Sequence, residues 1–222
     1  MGGAAAGTPG LFVTGTGTEV GKTVVAAVLA HTLAAEGKRV AVFKPAVTGL
    51  EEEGETDQAL LRRASGSSQS DEEIAPYRYE PPASPHLAAA LAGEEIDPER
   101  LRQAAQAAAT GADAIVCEGV GGLLVPLSPT YLVRDLAVDL GYPLVIVASP
   151  GLGTINHTLL TLESARATGL EIAAVVLNPW PEQPSEIERN NRETIASLGG
   201  VRVEALPRLD LGDLSAWPPL RL

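Results

Sequence analysis

The stretch Leu11-Phe12-Val13-Thr14-Gly15-Thr16-Gly17-Thr18-Glu19-Val20-Gly21-Lys22-Thr23 constrains this chain more than any other, because an apolar run passes through glycines straight into Gly-Lys-Thr. A turn of this kind aims successive backbone N–H groups at one point, sets a lysine over phosphate oxygens and offers a hydroxyl to Mg²⁺. The spacing departs from the usual pattern. Counting back from Gly21-Lys22-Thr23, the first glycine of G-x-x-x-x-G-K-[ST] falls on Thr16, with Gly15 and Gly17 on either side. The loop is therefore one residue longer or differently wound. An ordinary glycine-rich strand-to-helix turn is the plainer alternative, but the context favours a nucleotide. An apolar strand comes directly before, and an Ala/Val/Leu-rich helix from Val24 to about Glu36, closed by Gly37, comes directly after.

The 222 residues, 45% of them hydrophobic, suit one domain over 11–222 behind a flexible leader at 1–10. A formal net charge of −12 opposes non-specific binding to nucleic acid or to an anionic membrane, since both need a basic face. Any anionic ligand must be held by local groups. Cys117 is the only cysteine, so no intrachain disulfide forms and a reducing compartment is the natural setting. No basic-then-apolar signal opens the chain, and no segment approaches the roughly 18 apolar residues that span a bilayer. A cytoplasmic protein is expected.

Apolar runs at 39–43, 114–118, 144–148, 172–177 and 202–206 read as further strands. Between them lie helical stretches at 57–64, 87–92, 98–110, up to 140, 154–168 and 185–198. Asp97-Pro98 supplies an N-cap and first-turn proline, and Ser185-Glu186-Ile187-Glu188 a capping box. The acidic run Glu51-Glu52-Glu53 reads as a solvated loop tip. Strands that are apolar without alternation belong to a parallel sheet covered on both faces, so the fold class is α/β, doubly wound and mostly parallel. Ligands then gather outside the carboxyl ends of the strands. Gly15 to Thr23, Lys44, Glu118, Ser149 to Asn156 and Asn178 each follow a different strand and share that rim.

On the rim, Lys22 is the candidate phosphate lysine and Thr23 the candidate Mg²⁺ hydroxyl. Mg²⁺ takes a few carboxylates plus phosphates and water. Glu118 is the stronger carboxylate, ending an apolar strand before Gly119, where a buried charge must be paired or metal-bound. Asp57 is the weaker, since a helix-capping aspartate would look the same. Lys44 is either a surface lysine or a second cation facing Lys22. Gly151-Leu152-Gly153-Thr154-Ile155-Asn156 enters a helix and can receive an anion, or simply carries an N-cap at Thr154 or Ser149. His31, His157 and Cys117 read as core or surface residues.

Several pieces together resemble dethiobiotin synthetases, which are ATP-dependent ligases with a P-loop NTPase fold. They are Val13 to Thr23, Phe43-Lys44-Pro45-Ala46-Val47-Thr48-Gly49, Ser84-Pro85-His86, Cys117-Glu118-Gly119-Val120-Gly121-Gly122 with Pro126-Leu127, and Leu152-Gly153-Thr154-Ile155-Asn156-His157. The resemblance runs from about residue 11 to 178 and is weakest after Pro179. It implies a reaction in which 7,8-diaminononanoate takes up CO2 as a carbamate and the carbamate attacks the γ-phosphate of ATP. The second amine then closes the ureido ring, releasing phosphate. By the same likeness Thr23, Asp57 and Glu118 would hold Mg²⁺, while Lys22, Lys44 and Thr48 would be the catalytic contacts. Thr18, Glu19, Val20, Gly21, Lys22 and Thr23 would bind the nucleotide phosphates, with Asn178 and Pro207 at the adenine. Thr48 would touch the carbamate and amine end, and Gly153, Thr154, Ile155 and Asn156 the substrate carboxylate. The resemblance also implies a homodimer, in which Asn190 or Asn191 would reach the neighbouring subunit's substrate.

A P-loop partitioning or regulatory ATPase is the alternative. That group usually carries a lysine at the start of its loop, where this chain has Thr14-Gly15-Thr16.

Overall fold

The computed structural model describes residues 8–50 and 55–222. The acidic run at 51–53 and the first seven residues of the expected leader lie outside that range. In chain order the elements are β1 (Gly10–Gly15), α1 (Lys22–Ala35), β2 (Val40–Phe43), β3 (Val47–Thr48), α2 (Asp57–Ser65), α3 (Asp71–Ile74), β4 (Arg78–Tyr79), α4 (Pro85–Leu91) and α5 (Pro98–Ala109). There follow β5 (Ala114–Gly122), β6 (Pro126–Ser128), β7 (Tyr131–Leu132), α6 (Val133–Leu140), β8 (Leu144–Ala148), α7 (Thr154–Arg166), β9 (Ile172–Trp180), α8 (Glu186–Gly199) and β10 (Val203–Pro207).

Six strands form one parallel sheet in the order β10-β9-β8-β1-β5-β2. β1 lies between β5 and β8, where successive connections reverse direction across the sheet. That reversal opens the crevice outside the carboxyl end of β1, into which the glycine loop projects.

The period of two along the strands divides the core. Phe12, Phe43, Ile115, Cys117 and Leu144 face α4, α5 and α6, meeting Ala88, Leu101, Ala105 and Leu136. Val13, Val42, Val116, Val145 and Val147 face the other way onto Val25, Val28 and Leu29 of α1 and Leu60 and Leu61 of α2. Ile146, Ala148 and Leu177 pack against Leu162 of α7 and Ile195 of α8. α1 is buried on more than one side. Trp217 and Leu220 from the C-terminal segment close over it, and the Trp217 ring meets His31 edge-on at 5.8 Å. The Leu220 N–H donates to Thr32 at 3.0 Å.

The expected elements stand, with shifts that have local causes. The Thr8 hydroxyl donates to the Ala109 carbonyl and the Pro9 carbonyl accepts from Ile115, so the sheet begins inside the stretch read as a leader. β5 runs on through its glycines to Gly122, because Gly15 pairs with Gly122 and any Cβ on Gly122 would lie 3.2 Å from the Gly15 carbonyl. The polar stretch before Asp71 holds an unexpected capping box, Ser70 with Glu73, that starts α3. The two-residue pairs β3–β4 and the β6–β7 hairpin are too short to carry a pattern.

Trp217 contributes to the cover over α1, so Trp217→Ala should lower unfolding stability by about 3–5 kcal/mol, read from urea denaturation. A loss below about 1 kcal/mol would mean that the C-terminal segment is not part of the core.

Candidate active site

The glycine loop is wound around Gly15. A Cβ there would meet the Gly17 carbonyl at 2.8 Å, Val20 at 2.9 Å and the Lys22 side chain at 3.1 Å, whereas one on Gly17 would meet nothing within 4 Å. Gly15 is therefore the first required glycine, and five residues separate it from Gly21 instead of four. Gly21 is the second: its φ is 83°, and a Cβ would strike the Asn178 amide at 2.0 Å. Glu19, with φ 61°, is the one non-glycine among the described residues with positive φ, a strained position of the kind that ligand loops hold. Lys22 Nζ folds back to donate to the Gly17 carbonyl at 3.0 Å. Among the described residues, the N–H groups from Gly17 to Gly21 meet no acceptor, which leaves them free to receive an anion.

Opposite the loop, Glu118 ends the buried part of β5 with no exposed surface. Lys44, equally buried at the end of β2, donates to Glu118 Oε1 at 2.5 Å and pairs with Asp57 Oδ2 at 2.8 Å. The Thr23 hydroxyl lies 2.9 Å from Glu118 Oε1 and 3.0 Å from Asp57 Oδ1. Its single proton can satisfy one of them at a time. Asp57 opens α2 but caps nothing; Thr56 is the N-cap, and the carboxylate points at Lys44 and Thr23. The capping reading of Asp57 is thereby removed.

The charges are mutually dependent. Burial alone would pull the Lys44 pKa down, but Glu118 and Asp57 outweigh it and hold the ammonium above its ordinary range. Burial pushes the Glu118 carboxyl up against the opposing pull of Lys44. Asp57, also raised by burial, is brought below its usual range by Lys44 and Thr23. Lys22 is lowered, chiefly by burial, with Lys44 adding to that and Glu118 opposing it.

These groups surround a cavity of about 270 Å³. Thr18, Glu19, Gly21, Lys22, Thr23, Lys44, Thr48, Asp57 and Glu118 all line it, as do Ala46, Val120 and Gly121, which lack the polar side chains that mark a site in sequence. Val20 instead turns its carbonyl to the Asn178 amide at 3.2 Å. Asn178 is buried beside Gly21 and Pro207 ends the adjacent strand, so both stand at the same rim outside this cavity. A second cavity of about 410 Å³ lies on the far side of the loop, with Thr18 in the wall of both. Its lining is largely apolar, with Leu123, Leu124, Val125 and Leu160, and includes His157, which sequence reading left in the core or on the surface.

The stretch 153–156 lines neither cavity. Thr154 is buried, with its hydroxyl 3.5 Å from that of Thr158, while Ile155 is half-buried and Asn156 exposed in the first turn of α7. Asn191 needs correction. It is buried, and its side-chain amide donates to the chain's own Pro150 and Gly151 carbonyls at 2.9 and 3.1 Å, so neither proton is left for a substrate. Asn190 is the exposed neighbour.

A metal requirement can be tested on the donors. Glu118 Oε2 is buried and has no hydrogen-bond partner among the described residues. No cluster of three or more His, Cys, Asp or Glu suited to a metal occurs among them either. One hydroxyl and two carboxylates, one of them with an orphaned oxygen, fit Mg²⁺, which relies on phosphate and water for its remaining ligands.

A family model described as an AAA domain matches residues 9–211. The ATP-dependent dethiobiotin synthetase BioD of Bacillus subtilis (strain 168) is 39% identical over 195 residues, 87% of this chain and 84% of its own. Those of Rhodococcus erythropolis and Anaeromyxobacter dehalogenans (strain 2CP-C) are each 44% identical, over 86% and 83% of this chain and 84% and 83% of their own. The chain belongs to the dethiobiotin synthetase family. Among solved structures, a ParA family ATPase from Chlorobium tepidum superposes with a TM-score of 0.55 at 14% identity, covering 94% of this chain and 89% of that one. Chloroplast FtsY from Physcomitrella patens gives 0.51 at 15%, covering 96% and 63%. These establish the P-loop α/β fold and nothing further. Among the described residues no helix is long and apolar enough to cross a membrane.

Lys44→Ala should destabilise the fold by about 3–5 kcal/mol near pH 8, because Glu118 is left as an unpaired buried charge. With the Glu118 pKa raised, that cost is present above its ordinary value and is relieved as pH falls through the raised one. Urea unfolding of both proteins at pH 8 and pH 5 should show the deficit narrowing at pH 5; a constant deficit would rule out Glu118 as its source.

Proposed function

We propose that this chain makes dethiobiotin from 7,8-diaminononanoate, CO2 and ATP, releasing ADP and phosphate, in the cytoplasm where ATP is supplied. The observation that carries the proposal is the pair of buried lysines, Lys22 and Lys44, that line one small cavity together with Thr23, Asp57 and Glu118. A partner-switching ATPase needs the phosphate loop and a metal site. The second buried cation suits a reaction in which another anion approaches the γ-phosphate.

In this reading one amine of the substrate forms a carbamate with CO2, and a carbamate oxygen attacks the γ-phosphorus as ADP leaves. The second amine attacks the carbamoyl carbon of the mixed anhydride, closing the ring and expelling phosphate. No protein nucleophile is required; the chain positions two anions and neutralises them. The loop amides and Lys22 hold the β- and γ-phosphate oxygens. Lys44 faces them with a charge that its two carboxylates keep on the nitrogen, and Thr48 sits where the carbamate and amine end would lie. Mg²⁺ bound by Thr23, Asp57 and Glu118 would supply further charge neutralisation for the phosphates. Asn178 and Pro207 offer an amide and a backbone carbonyl to adenine.

The substrate's methylene chain suits the apolar cavity behind the loop, since Thr18 stands between the two spaces. Its carboxylate would then be received by the first amides of α7. Leu124 and Leu160, in the wall of that cavity, are exposed, and a homodimer covering them would bring the partner's α7 start to the substrate.

Phosphate release from ATP and Mg²⁺ should depend on diaminononanoate plus bicarbonate, with one dethiobiotin formed per phosphate. Release indifferent to either addition would refute the assignment. Lys44→Arg, which keeps the charge but not its compact shape, should fold and still bind nucleotide while turnover falls by about 100-fold. Wild-type turnover would remove Lys44 from the chemistry.

A further inference from the structure

We propose that Asn191 is a positioning residue: from α8 it holds the Pro150–Gly153 turn in the shape that presents anion-binding amides to the substrate carboxylate. The inference rests on the reading above, in which that carboxylate meets the start of α7.

The turn has little to hold it by itself. Leu152 at its tip is 95% exposed, Gly153 adopts φ 92°, and the bond inside it is a long one, Thr154 N–H to the Gly151 carbonyl at 3.3 Å. The firmest polar contacts come from 40 residues further along the chain. Asn191, only 6% exposed, donates its two amide protons to the successive carbonyls of Pro150 and Gly151 at 2.9 and 3.1 Å. In a trans peptide the N–H points opposite to the C=O. Drawing both carbonyls toward α8 therefore turns the Gly151 and Leu152 N–H groups the other way, and among the described residues neither meets an acceptor. They add two donors to the start of α7, where the helix dipole favours an anion. Both donors of Asn191 are consumed within the chain, so it acts through the turn and not by touching the substrate.

Asn191→Leu keeps the volume but removes the donors, and Asn191→Asp places an anion against two carbonyl oxygens. In both, the KM for diaminononanoate should rise about tenfold, with kcat and the KM for ATP within about twofold of wild type. Asn191→Ser, with one donor, should fall between. An unchanged diaminononanoate KM, or an equal rise in the KM for ATP, would overturn the proposal, the second marking a general loss of structure. An analogue with a methyl group in place of the carboxylate separates the two layers of the argument. If wild type uses the analogue as well as the substrate, the carboxylate assignment fails whatever Asn191 does. If wild type discriminates and Asn191→Leu discriminates just as strongly, Asn191 is not the brace.

Discussion

A carboxylate without exposed surface is costly, and the architecture around Glu118 is what makes it tolerable. The ammonium of Lys44 lies against it, Asp57 holds the other side of that ammonium, and Thr23 spans both carboxylates. Each of these residues comes from a different element: β2, β5, α1 and the start of α2. None can be moved without uncovering a charge in a low-dielectric setting, where unpaired charge is heavily penalised. The rigidity that a phosphoryl-transfer site requires is therefore the same property that the buried charges impose on the fold.

The sheet makes that convergence possible. Parallel strands all end on one edge, and placing β1 between β5 and β8 puts the glycine loop, Glu118 and the turn after β8 on neighbouring strand ends. The steric requirement at Gly15 and Gly21 then decides how the loop turns. The first keeps room for Lys22 to fold back, and the second lets Asn178 approach the backbone. In an acidic chain of net charge −12, the two lysines of the cavity offset carboxylates that would otherwise repel an anion, and the loop amides add donors beside them.

Much of this was legible in the sequence, for identifiable reasons. Continuous apolar runs mark strands covered on both faces, and Asp97-Pro98 and Ser185 to Glu188 mark helix starts through their own short-range bonds. Lys44 and Glu118 could be named because polar groups at the ends of buried strands have few other uses, and Thr23 because it closes Gly-Lys-Thr. Direction was not legible. Asn191 reads the same whether its amide points at a substrate or at its own chain, and Asp57 the same whether it caps a helix or faces a lysine. His157 and Leu123 to Val125 line a cavity only because α7 packs beside the loop, a long-range fact without local signature. The spacing alone leaves the phosphate loop either one residue longer or differently wound, and the clash at Gly15 fixes where the motif begins.

The C-terminal segment has a bearing on how the chain reaches this state. α1, which carries Lys22 and Thr23, is covered on its outer side by Trp217 and Leu220, and Leu220 bonds to Thr32 on that same helix. The bond from Leu220 to Thr32 spans 188 residues, so during synthesis the nucleotide-binding helix emerges well before its cover. Until Trp217 and Leu220 follow, the nascent chain must carry that apolar flank of α1 bare.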